Sequence, residues 1–321
     1  MNERDIINAL VRQNTNQGYI SQRFSVVSDT SDWMRIARGD VIKLGSDYYL
    51  IKGNMRESRF GIDEQPKLWV FSAIDLRDGS EKIIKTVFKE EFYAHIGFLR
   101  IRCYRDVDKE SAVMELGKGD FRFMQGKTYF DEKGNNVRVI NYIQGVSFFN
   151  LIPSINKQHR DYFEADLPNI LLKLKSSIEA IGLLHKNGLC HGDIRNDHLY
   201  RESATGNYIW IDFDLKQDVS DFDLWSLGNI ISYAVGKGII TFDSILKSKQ
   251  VGDDIKNSLA STDSSAFYNY RIMNLQKIFP YLPENLSNML RNFTVKPPVF
   301  YRDINEFIDG YYQMLARDFG L

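Results

Sequence analysis

Along the first half of the chain, apolar residues gather in short runs bounded by glycine; along the second, they recur at helical spacing. The runs "DYYLIKG", "KLWVFSAIDLRDGSEKIIKTVF" and "NNVRVINYIQG" are rich in valine, isoleucine and aromatic residues and bounded by glycine, which predicts antiparallel strands. Asp78-Gly79 inside the second run predicts a tight hairpin. One helical stretch interrupts the strands, "DKESAVMELGKG", with Ala112, Val113 and Leu116 at helical spacing and glycines at its end. Near Leu151 the period changes. "LPNILLKLKSSIEAIGLLHKNG", "DFDLWSLGNIISYAVGKG", "LPENLSNMLRNF" and "DINEFIDGYYQMLARDF" all repeat apolar residues at helical spacing. The expectation is an α+β chain in two lobes: an N-terminal extension over 1–40, a small antiparallel β lobe over 41–145 and a larger helical lobe over 146–321. A cleft between lobes is the expected site.

Composition narrows the partners. With 321 residues and 43% hydrophobic content the chain can bury a substantial core. Lysine plus arginine number 41 against 42 aspartates and glutamates, a net charge of -1, which gives no general attraction to nucleic acid or a membrane surface. The two cysteines, Cys103 and Cys190, stand far apart and outside any metal-ligand spacing, so neither a disulfide framework nor a zinc site is expected. No apolar run reaches the roughly 18 residues of a membrane span, and the start "MNERDIINALVRQ" has acids and an amphipathic pattern, so neither export nor anchoring is expected. A cytoplasmic protein is expected.

The chemistry concentrates in "LCHGDIRNDHLYRESATGNYIWIDFD", Leu189 to Asp214. A loop after a long helix presents His191, Gly192 and Asp193; then "HLY" and the turn "RESATGN" lead to the strand "YIWIDFD". Asp193 and Asp212 would sit at neighbouring loop ends of a hairpin-like unit. Taken singly, such aspartates are ordinary turn and cap residues. Taken as a pair, they suit phosphoryl transfer, in which one carboxylate orients the acceptor hydroxyl and another holds the metal bridging the nucleotide phosphates.

With these residues the chain resembles the protein-kinase-like superfamily, where a loop "HxDxxxxN" precedes a strand ending in "DFG"; here they read "HGDIRNDH" and "DFD". The "HGD" form is similar to small-molecule and atypical kinases, including the aminoglycoside phosphotransferases, whereas "DLWSLGNIISYAVGKG" resembles the true protein kinases. The resemblance covers residues 41 to 316. It implies ATP with magnesium as cofactors, Lys85 of "EKIIKTVF" as the phosphate-binding lysine and Glu110 as its partner. It further implies Asp193 as base, Arg195 as a γ-phosphate contact, Asp212 as metal ligand, and backbone groups of Asn141, Tyr142 and Ile143 as the adenine site. Asp223 is implied to tie down the catalytic loop. The acceptor is expected to be serine or threonine of a protein, and a small-molecule hydroxyl is the alternative; a binding or scaffold module that keeps the fold without catalysis, and transfer of a nucleotidyl group, are the other readings.

The departures matter as much. In place of a "GxGxxG" loop the stretch "KGNMRESRFGIDEQPKLWV" offers only Gly53 and Gly61, with Arg56 or Arg59 as substitute charges. The second metal-ligand position, asparagine in the family, holds His198, which favours manganese over magnesium; Asn196 or Asp197 is the alternative ligand. Asp214 replaces the family's glycine and would add a carboxylate to the metal. Only Asp214 to Phe222 separates "DF" from "DLWSLG", so the long activation segment is missing. His95 and His159 are expected at the surface or in caps, and "FYNY" near Tyr268 in helical-lobe packing.

Overall fold

The computed structural model describes residues 2–14, 24–59, 62–96, 99–219 and 222–321, and of their side chains all but those of 57–59, 62–65, 95, 96 and 99. In chain order the elements begin with α1 (Glu3–Asn14), β1 (Val26–Val27), β2 (Val41–Leu44), β3 (Asp47–Arg59), β4 (Ile62–Asp75) and β5 (Glu81–Lys85). They continue with β6 (Glu91–Ile96), β7 (Leu99–Arg105), α2 (Val107–Leu116), β8 (Gly126–Phe130), β9 (Asn136–Asn141) and β10 (Gly145–Ser147). Then come α3 (Phe148–Ser154), α4 (His159–Ala165), α5 (Leu167–Lys186), β11 (Leu199–Glu202), β12 (Tyr208–Trp210) and β13 (Leu215–Gln217). The chain closes with α6 (Phe222–Val235), α7 (Phe242–Lys247), α8 (Asp253–Ser258), α9 (Glu284–Arg291) and α10 (Ile304–Met314).

Two compact units divide the chain. The first is Met1–Lys89 with Val107–Asp120 and Met124–Ile143; the second is Glu90–Asp106, Phe121–Phe123 and Gln144–Leu321. In the first unit a sheet runs β1-β2-β3-β4-β5-β9-β8, antiparallel except where β1 meets β2. Neighbouring residues point to opposite faces. Ile42, Tyr49, Ile51, Phe71, Ile84 and Val139 fill one side; Val41, Leu50, Ile74 and Leu76 fill the other, where Ile7 and Val11 of α1 cover them. The start of the chain is thus a helical cap on the sheet, each such buried aliphatic contributing about 1.5–3 kcal/mol. Gly79 adopts φ +75° in the β4–β5 hairpin, a backbone setting that glycine accepts without strain. Gly53 sits at a register shift between β3 and β4.

Helix α2 buries charged side chains together with apolar ones. Lys109, Glu110, Val113 and Met114 are buried while Ala112 is exposed. A charged residue can occupy an inward position only when it is paired there, and Glu110 is.

The second unit differs from the expected boundary at 146 by taking in 90–106. The physical reason is strand pairing: β6 and β7 form a hairpin whose other edge holds β13, in the order β13-β7-β6. A second small sheet runs β10-β11-β12. Helix α5 is held at two of its carbonyls: Trp210 Nε1 donates to that of Ser177 at 2.9 Å and Tyr311 Oη to that of Leu171 at 2.7 Å. Gly228 of α6 lies so close to buried Phe293 that a Cβ would fall 2.4 Å from its ring, which accounts for glycine in "DLWSLG". Phe267 packs on Phe222 and Trp225, and Arg271 lies over Tyr268, so "FYNY" is part of that packing. His159, expected at the surface or in a cap, is half-buried at the first residue of α4, stacked on Phe279 and bonded to Tyr281 and the Val235 carbonyl. No helix among the described residues is long and apolar enough to cross a membrane.

Candidate active site

In the first unit, β5 ends inward, so Lys85 is only 6% exposed. Its Nζ donates to Glu110 Oε1 at 2.7 Å. The other carboxylate oxygen meets Arg138 Nε of β9 at 3.0 Å, and Arg138 Nη2 donates to the Thr86 carbonyl at 3.0 Å. Lys85 and Arg138 are partners across the β5–β9 ladder, so both cations reach one glutamate from adjacent strands. Three charges buried together persist only when each is paired. Arg138 escaped the sequence reading; an arginine among the alternating apolar residues of "NVRVIN" was the available signal.

The N–H groups of Asn141 and Tyr142 already donate to the carbonyls of Gln125 and Glu81, at 2.8 and 3.2 Å. Of the backbone groups expected to bind adenine, the amides of Asn141 and Tyr142 are thus already engaged. Arg56 is exposed on β3. Gly61 and the side chains of Arg59 and His95 lie outside the described residues.

In the second unit the loop after α5 is pinned from beneath. Asp223, in the first turn of α6, accepts from the N–H of His191 at 2.7 Å and that of Gly192 at 2.8 Å, and faces His185 Nε2 at 3.0 Å. Burial works to raise its carboxyl, but the bond to His185, the charge of His191 and the Gly192 amide outweigh it, and the pKa is lowered. Gly192, at φ +82°, has its carbonyl bound by Gln217 Nε2 at 2.6 Å. The loop therefore delivers Asp193 from a backbone held on both sides.

The β11–β12 ladder then sets His198 beside Asp212. Leu199 pairs with Trp210, and one step further the Ile211 N–H donates to the His198 carbonyl at 3.0 Å. The chain turns at Asp212, which has φ +67°, an uncommon setting for a residue other than glycine and one that gathers at functional sites. His198 Nε2 lies 3.4 Å from Asp212 Oδ2, and its Nδ1 lies 3.5 Å from Asp193 Oδ2. Nδ1 is also 2.8 Å from the Asp193 carbonyl. A carbonyl can only accept, so Nδ1 carries a proton, and Nε2 is the nitrogen that faces Asp212. That is how metal-ligating histidines are commonly oriented.

Desolvation raises the pKa of Asp193 above the usual carboxylate range, against the opposing charges of His198 and Arg195. Arg195 is ion-paired with Asp197, its Nε 3.0 Å from Oδ1, and its Nη1 lies 3.9 Å from Asp193. Asp197, although burial pushes it upward, is lowered by His198 and Arg195. Among the described residues, the buried Asn196 Oδ1 has no hydrogen-bond partner. Asp214, expected to add a carboxylate to the metal, places Oδ1 2.7 Å from Arg105 Nη1, a counter-charge for that buried guanidinium. Among the described residues no three His, Cys, Asp or Glu side chains are grouped to hold a metal by themselves. Asp212 and His198 are two donors, which suits an ion that takes its remaining ligands from phosphate and water.

No family model matches the chain, and no curated protein matches it. Among solved structures it is similar to the kinase PK-1 of the Cydia pomonella granulovirus, at 12% identity and a TM-score of 0.50, covering 82% of this chain and 93% of that one. At that identity the likeness concerns the fold: the chain has an α+β, protein-kinase-like fold.

Proposed function

We propose that the chain is an ATP-dependent phosphotransferase that moves the γ-phosphate to a hydroxyl. The observation that carries the reading is the imidazole of His198, with Asp193 at 3.5 Å on one nitrogen and Asp212 at 3.4 Å on the other. Asp193 orients the acceptor hydroxyl and takes its proton. Asp212 and His198 Nε2 hold a divalent ion, magnesium or manganese, whose role is to neutralise phosphate charge. Lys85, kept in place by Glu110, contacts the α- and β-phosphates, and Arg195 the γ-phosphate. The amide of Ile143 serves the adenine edge.

The test is a melting titration with ATP, magnesium and manganese. A ligand at about a hundred times its dissociation constant stabilises a fold by roughly 2.7 kcal/mol. Metal-ATP should raise the melting temperature of the wild type, and Lys85→Ala and Asp212→Asn should each abolish most of the rise. His198→Asn should move the preference from manganese toward magnesium. No rise with either metal sinks the reading.

For the acceptor, serine or threonine of a folded protein is proposed. A peptide bound in extended form needs a surface to lie on, and the segment after Asp214 has its three strand residues already paired with β7. With labelled ATP, label should enter folded proteins of a cell extract and not a degenerate peptide library. Label confined to small metabolites would make the chain a small-molecule kinase, and efficient peptide phosphorylation would remove the argument from the short segment.

A further inference from the structure

Directly after Asp212, the chain is gripped by residues of the β6–β7 hairpin. Leu215, Lys216 and Gln217 pair with Arg105, Tyr104 and Cys103. The N–H of Asp106 donates to the Asp214 carbonyl at 2.6 Å, and Lys216 Nζ lies 2.9 Å from Asp106 Oδ2. Arg105, its side chain 6% exposed, bridges Glu90 Oε2 at 2.8 Å and Asp214 Oδ1 at 2.7 Å. Leu215 closes a small core with Ile101 and Cys103, against which Val219 and Phe222 pack. Gln217 carries the same segment to the catalytic loop through the Gly192 carbonyl. Asp214 is therefore held at its carboxylate by Arg105 and at its carbonyl by Asp106, two residues beyond Asp212.

We infer that Arg105 is a positioning residue for the metal-binding carboxylate: by neutralising and anchoring Asp214, it fixes the backbone turn that aims Asp212, so the segment needs no covalent modification to be in place. This rests on the phosphotransferase reading of Asp212. Several observations point the same way. A buried guanidinium with two carboxylate partners is a rigid, forked anchor that lysine does not reproduce. The turn it supports holds a non-glycine residue at φ +67°, a setting that persists only where its surroundings over-determine it. Asp214 stands where the resembled family has glycine, and here it has a cation built to receive it. Between Asp214 and Phe222 the sequence has one hydroxyl side chain, Ser220, so a phosphate switch within the segment would have to act there.

The experiment is a double-mutant cycle on the full chain with Arg105→Met, Asp214→Asn and both, with Arg105→Lys as the milder variant should Arg105→Met not fold. Two quantities are read: the manganese concentration at half-saturation in the presence of ATP, from melting, and the unfolding midpoint without ligand. Arg105→Met should raise the manganese midpoint about tenfold or more, the conventional loss on removing a group that orients a metal ligand. The double variant should be no worse than Arg105→Met alone, because Asp214→Asn removes an interaction that Arg105→Met has already removed. Independent, multiplying losses, or a manganese midpoint within twofold of wild type in both Arg105 variants, would overturn the inference. Ser220→Ala should keep full phosphotransfer; dependence on a phosphate at Ser220 would overturn it too. If the wild type shows no metal-ATP response, the phosphotransferase reading fails instead, while coupling between Arg105 and Asp214 is still read from the ligand-free midpoints.

Discussion

Asparagine in place of Asp193 should leave the response to metal-ATP intact and lower turnover by about 10²–10⁴-fold, the usual contribution of a positioned proton acceptor. The substitution keeps the shape of the side chain and every backbone bond of the loop: the Asp193 N–H on His191 Nδ1 at 3.3 Å and the Asp193 carbonyl facing His198 Nδ1 at 2.8 Å. What it removes is the capacity to take a proton. Desolvation already raises that carboxyl's proton affinity, the direction a base needs if it is to capture a proton from a hydroxyl. The measurement pairs steady-state kinetics with melting curves. Turnover retained in the variant places the base elsewhere, and loss of nucleotide binding makes Asp193 a metal ligand. A wild type that binds metal-ATP but transfers phosphate to no acceptor is a binding module.

The strands and helices that the sequence announces are those whose partners lie nearby or whose apolar face is continuous. "DYYLIKG" and "NNVRVINYIQG" become β3 and β9, and the four helical stretches become α5, α6, α9 and α10. Asp193, His198 and Asp212 could be brought together on paper because one short hairpin joins them, with Leu199 opposite Trp210 fixing the register. The hairpin of β6 and β7 was not legible in the same way. Its outer edge is β13, more than a hundred residues later in the chain, and pairing over such a separation leaves no local period. Arg105 and Asp214 are invisible for the same reason: neither residue betrays a buried partner until the strands meet. On α2 the apolar spacing located the helix but not the burial of Glu110, which follows from its ion pairs and not from apolar area.

Removing the carboxylate of Asp223 should cost about 3–5 kcal/mol of stability, the range for breaking a buried charge network by deleting one partner. Asp223 is 2% exposed, and Asp223→Ala leaves the amides of His191 and Gly192 without their acceptor in a space too closed for water to replace it at no cost. Asp223→Asn keeps one acceptor oxygen but turns an amide donor toward another donor, so it should fall between the two. The pH dependence fixes the mechanism. The pKa of Asp223 is lowered in the fold, since the His185 bond, His191 and the Gly192 amide outweigh the effect of burial. A carboxyl depressed by folding stabilises fully above its unfolded value of about 3.9 and loses that contribution as the pH falls through the folded value. In urea melts, the gap between wild type and Asp223→Asn should therefore be wide at pH 7 and narrow as the pH is taken below about 3.9. A gap that stays constant with pH would assign the loss to packing and not to the carboxylate. Because those two amides belong to the loop that delivers Asp193, turnover should fall in Asp223→Asn even at temperatures where the chain is folded, and an unchanged kcat would separate the loop's stability from its catalytic geometry.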